Sequence, residues 1–78
     1  MSAAKEDLWV LEWHQESNNI HIQPLCALVG LNRTRFVINA PVPGRYVPIF
    51  IGTRKEVERE VDKIRPVLIE REKERVAA

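Results

Sequence analysis

Two short apolar runs that alternate in character, separated by five polar residues, constrain this chain more than any other feature. Leu8-Trp9-Val10-Leu11-Glu12-Trp13-His14 is rich in aromatic and branched residues, as strands are. Gln15-Glu16-Ser17-Asn18-Asn19 carries turn chemistry, because Asn tolerates positive φ and Ser and Asn bond their own backbone. Ile20-His21-Ile22-Gln23 alternates again and Pro24 ends the run. The pattern predicts a β-hairpin. A turn at Ser17-Asn18 pairs residue i with 35 − i, and one at Asn18-Asn19 pairs it with 37 − i. The two registers differ by two, so both put Trp9, Leu11, Trp13, Ile20 and Ile22 on one face. Leu8, Val10, Glu12, His14, His21 and Gln23 take the other.

Downstream, Leu25, Leu28, Val29, Asn32 and Phe36 follow helical spacing, which predicts a short helix over 25–36 despite Gly30. The branched pair Val37-Ile38 predicts an extended chain before Asn39. Two prolines and a glycine make 39–44 a loop. Arg45 to Ile51 reads as a third strand, apolar on both sides. Pro48 has no N–H to donate, which places this strand at a sheet edge or Pro48 beyond its pairing limit.

Thr53-Arg54-Lys55-Glu56 is a capping box, and behind it Val57, Val61, Ile64 and Leu68 make one apolar helical stripe. Pro66 predicts a kink or break, and a helix over 54–69. The segment 70–78 has no apolar face. It and residues 1–7 are expected to be flexible or held by a partner. The order is therefore β-β-α-β-α, a small α+β domain with a hairpin and third strand packed by a C-terminal helix.

A chain of 78 residues holds one domain, 1–78, with a thin core margin. Its single cysteine, Cys26, sits among apolar neighbours and is expected to be a small buried residue. A lone cysteine fits a reducing, cytoplasmic location, and no segment reads as a secretory leader or membrane span.

Charge is unevenly spread. Residues 1–31 carry −3, residues 32–55 carry +5 and residues 56–78 carry −1. The middle block is Arg33, Arg35, Arg45, Arg54 and Lys55, with Tyr46 and Phe36 available for stacking. Arg54 and Lys55 stand in the first helical turn, where positive charge opposes the helix dipole. The whole chain is near neutral at +1, less basic than dedicated nucleic-acid binders.

Catalytic and cofactor signatures are missing. His14, His21 and Glu12 share a hairpin face, but no spacing typical of zinc sites accompanies them. Gly30, Gly44 and Gly52 are isolated, so no phosphate loop forms, and no GxxG or RNP-type aromatic pair marks an RNA-binding module. No metal, cofactor or enzymatic activity is expected. These features predict a protein-binding module, an adaptor or inhibitor of a larger protein, a size class common among phage and mobile-element products. The contact residues expected are Arg35, Arg45, Tyr46 and Phe50, with Arg33, Arg54 and Lys55 around them. The partner is then a protein with an acidic patch or a second copy. The contrasting expectation is a small nucleic-acid-binding regulator acting through the basic block 33–55.

Overall fold

A computed structural model describes residues 7–41 and 46–77. Arg45, one of the expected contact residues, lies outside the described residues, as does most of the amino-terminal segment. The element order is β1 (Trp9–His14), β2 (Ile20–Pro24), α1 (Leu25–Val37), β3 (Tyr46–Gly52) and α2 (Arg54–Ala77), the β-β-α-β-α domain expected. The sheet is antiparallel with order β2-β1-β3, so β3 takes the edge position that Pro48 requires.

The hairpin register differs from expectation. Residue i of β1 opposes 33 − i of β2, from Trp9↔Pro24 to Trp13↔Ile20. The reason lies in the turn. His14 and Asn19 close a longer loop through His14 N–H to Asn19 O, 2.8 Å, and Asn18 takes a left-handed φ of 61°. Side chains lock that loop: Trp13 Nε1 donates to Asn18 Oδ1 (3.1 Å), and the Ser17 N–H donates to His14 Nδ1 (3.2 Å). The shift is again by two residues, so the assignment of side chains to faces survives.

β3 also carries a bulge beside Pro48, a residue that strands admit at edges and at bulges. Phe50 opposes Leu11 and Pro48 opposes Glu12, leaving Ile49 as the extra residue. The bulge reverses the parity of the strand. Val47 and Phe50 join the Trp9–Leu11–Trp13 face, while Tyr46, Pro48 and Ile51 join the Val10–Glu12–His14 face.

α2 covers the Trp face. Leu11 and Val57 are fully buried against each other's layers, while Val61, Ile64 and Leu68 are half-buried along the same stripe. The capping box forms as read: Thr53 N–H donates to Glu56 Oε1 (2.9 Å) and Glu56 N–H to Thr53 Oγ1 (3.2 Å). Gly52 leaves room beside it, since a Cβ there would stand 3.0 Å from Glu56 Oε1, closer than an ordinary contact.

Two expectations for α2 need correction. The helix runs unbroken through Pro66, and the segment after Ile69 is helical to Ala77. The proline ring lies on the exposed side, where the freed Asp62 carbonyl can be hydrated. The tail is not without a surface to lie on either. At 3.6 residues per turn, Arg71, Glu72 and Arg75 extend the buried stripe as polar residues. Arg71 lies over the Trp13 ring at 5.4 Å, and Glu72 and Arg75 line a hollow with Ser17, Asn18 and Asn19. An apolar stripe meets the sheet, and its polar continuation meets the polar hairpin loop.

α1 ends differently than expected as well. Val37 is still helical, Ile38 caps it with φ −90° and ψ 4°, and Asn39 takes φ 55°. Asn39 N–H donates to Phe36 O (3.2 Å) and Ala40 N–H to Arg35 O (2.8 Å). These are the paired bonds of a Schellman cap with Asn in the glycine role, and they outweigh the β-preference of Val37-Ile38. The helix is tied at its start by Leu25 N–H to Leu8 O, 2.9 Å. None of its residues is buried.

Candidate functional site: the groove between α1 and the open sheet face

The second face of the sheet is only partly covered. Val10 and Glu12, on the central strand, are buried, but Tyr46, Pro48 and Ile51 on β3 and His21 on β2 are exposed. α1 departs from the end of β2 and stands beside this face, so the two form the walls of an open groove of about 460 Å³. Leu28, Leu31, Asn32 and Arg35 form the helix wall; Glu12, His21, Gln23, Tyr46 and Pro48 form the sheet wall.

The floor holds a buried carboxylate. Glu12 is 5% exposed, and Gln23 Nε2 donates to its Oε1 at 2.6 Å. No Lys, Arg or His nitrogen of the described residues comes within 4 Å of it. Arg35, at the rim, instead donates to Asn32 Oδ1 (3.2 Å). Glu12 on the sheet wall and the Arg35 side chain on the helix wall thus line the same groove, each bonded to a neutral amide of its own wall.

Tyr46 organises the rim. Its ring meets His14 edge-on at 5.0 Å and His21 at 5.9 Å. The histidines thus share a face with Glu12, as the alternation implied. They do not form a ligand set, since His14 Nδ1 is engaged by Ser17, whose hydroxyl lies 3.0 Å away. Among the described residues no group of three His, Cys, Asp or Glu side chains is placed to hold a metal ion.

α1 has a second, outward side. Helical geometry puts Cys26, Val29, Arg33, Phe36 and Val37 within one arc, roughly opposite Leu28, Leu31 and Arg35. This stripe is open to solvent: Phe36 is 84% exposed, with Val29, Val37 and Cys26 also exposed. Cys26 is therefore not the buried residue its apolar neighbours suggested. Its neighbours do not shield it, because the half-buried Leu25 and Leu28 lie on other sides of the helix and Ala27 is exposed.

The expected contact residues divide among three places. Arg35 and Tyr46 come together on the groove, and Arg33 lies on the outward stripe of α1. Phe50 faces the α2 side, parted from Tyr46 by the bulge. Arg54 lies over the Trp9 ring at 4.7 Å and pairs with Glu58 at 3.3 Å, which accounts for its unfavourable position near the helix start. Lys55 is exposed beside it. From sequence, Glu12 was considered only beside the two histidines, and Val29 and Phe36 were placed on one helix stripe with Leu25 and Leu28 rather than on a separate outward face with Val37. A charged residue at an inward position of an apolar strand, and a helix apolar on two sides, were the available signals.

Comparison of the chain with protein-family models, with curated proteins and with solved structures found no match.

Proposed function

We propose that this chain is a non-catalytic protein-binding module of the adaptor or inhibitor kind, and that it binds through α1 and the groove beside it. The observation that carries this reading is the outward stripe of α1, an apolar helix face headed by a Phe36 that is 84% exposed. Contiguous exposed apolar surface of this kind usually marks association. Around it stand the residue types that anchor interfaces: an aromatic side chain in Tyr46, and Arg33 and Arg35 to set orientation. The basic block supports a phosphate-binding reading less well, because its described members point to different parts of the surface.

The test is capture of partners from native cytosol by the tagged chain, at low and high salt, with and without nuclease. Phe36→Asp and Tyr46→Ala should each abolish capture while circular dichroism stays unchanged, and raised salt should weaken it only modestly. Capture that persists in both folded variants contradicts the proposed surface. Capture that disappears with nuclease and falls steeply with salt would favour nucleic acid.

A further inference from the structure

We infer that His14 is a pH-sensitive latch on the hairpin loop: its neutral ring locks the loop, and its protonated ring releases the Ser17 backbone N–H. The inference stands apart from the partner-binding face. Three observations of the loop and its surroundings carry it.

The first is the direction of one hydrogen bond. Ser17 N–H donates to His14 Nδ1 at 3.2 Å, and a backbone N–H can only donate. Nδ1 must therefore offer a lone pair, which belongs to the neutral ring with its proton on Nε2. Protonation puts a hydrogen on Nδ1, and the bond is lost. The Ser17 hydroxyl, 3.0 Å from Nδ1, behaves differently because it can donate or accept. It turns to accept from Nδ1–H, so uptake of a proton keeps the hydroxyl contact and frees the amide.

The second is that the main chain does not depend on the ring. His14 N–H donates to Asn19 O at 2.8 Å, and Asn18 N–H donates to His14 O at 3.0 Å. These bonds close the hairpin whatever the charge on the imidazole. Protonation therefore loosens the loop without opening the sheet. The loosened part is well connected. Asn18, next to Ser17, accepts from Trp13 Nε1 at 3.1 Å, and Asn19 N–H donates to Ser17 Oγ at 3.3 Å. Ser17, Asn18 and Asn19 also line the hollow shared with Glu72 and Arg75 of α2.

The third is the setting. The ring is half-buried, with Tyr46 of β3 edge-on at 5.0 Å. Around it Glu12 of β1, Glu16 of the loop and Glu72 of α2 favour a cation. His21 of β2, Arg35 of α1, and Arg65 and Arg75 of α2 favour the neutral ring. Among the described residues the field has no single sign, whereas the Ser17 bond has one. Histidine ordinarily changes charge between about pH 5 and 8. The bond is made above that window and lost as pH falls through it.

The experiment is nuclear magnetic resonance of the isotope-labelled chain across that window, following the His14 ring nitrogens and the protection of the Ser17 amide from exchange. At the upper end the ring should carry its proton on Nε2. As His14 titrates, the Ser17 amide should lose roughly fivefold or more of its protection. The Trp13 indole N–H should shift with the same midpoint, while that of Trp9, at the far end of β1, stays in place. His14→Asn sets an acceptor oxygen where Nδ1 stood and does not titrate, so Ser17 protection should be constant with pH. His21→Asn should leave the transition as in the parent. A neutral His14 ring protonated on Nδ1, or a Ser17 amide equally protected in both charge states, overturns the latch. So does a transition that persists in His14→Asn or vanishes in His21→Asn.

Discussion

Thr53 and Glu56 show how much one pair of side chains decides. Glu56 has its pKa held below the ordinary carboxylate range, first by the Thr53 backbone N–H and then by the Thr53 hydroxyl, with Arg59 adding to the effect. Glu72 is lowered too, chiefly by its bond to Arg75. A carboxylate with a depressed folded-state pKa contributes stability that is present above its unfolded pKa and lost as pH falls through the folded one. α2 should therefore weaken as pH drops below about 4, the ordinary glutamate range. Glu56→Gln should flatten the upper part of that acid transition, measured by ellipticity against pH. Thr53→Ala removes the cap outright and should cost about 1 kcal/mol at neutral pH in urea unfolding. Equal stability of the Thr53 variant and the parent would mean that the box contributes nothing to the fold.

At the scale of elements, what could be read from sequence was whatever local chemistry decides. The hairpin faces followed from a period of two, and any turn that shifts the register by an even number preserves them. The cap of α2 followed from the spacing of Thr53 and Glu56. The bulge at Ile49 was not anticipated, because Pro48 was read as an edge signal alone and the parity of β3 depends on how it meets β1. That one residue separates Tyr46 from Phe50 and changes which aromatic belongs to the groove. The end of α1 was misread for a related reason: the propensity of Val37 and Ile38 was weighed, and the capping ability of Asn39 was not. Groove residues contributed by two elements, Glu12 from β1 and Arg35 from α1, could be named only one by one. Their meeting is a property of the packing. Pro66 offers a direct test of α2. The helix continues through it at the expense of one backbone bond, and tertiary contacts on both sides of it hold the two halves in line. Pro66→Ala should restore the donor to the Asp62 carbonyl and raise stability, by at most about 3 kcal/mol. A destabilised Pro66→Ala variant, measured by thermal melting, would show instead that the proline sets the path of α2 toward the hairpin loop.

For the molecule as a whole, a well-specified scaffold stands against a small core, Val10, Leu11 and Val57 among the described residues. The cap and apolar stripe of α2 and the faces of the hairpin agree with the packing they form. α1 has no fully buried residue, with Leu25 and Leu28 half-buried and Val29, Leu31, Phe36 and Val37 exposed. A helix held at both ends by backbone bonds and apolar on its outward side supports the proposal that this face meets a protein partner. The central claim is that capture of a partner runs through this face, with Phe36 as its anchor. The most direct measurement is the amount of partner captured from native cytosol by the tagged parent and by Phe36→Asp, with circular dichroism on both. The account predicts capture by the parent and none by a variant of unchanged circular dichroism. Equal capture by the parent and the folded variant would contradict it.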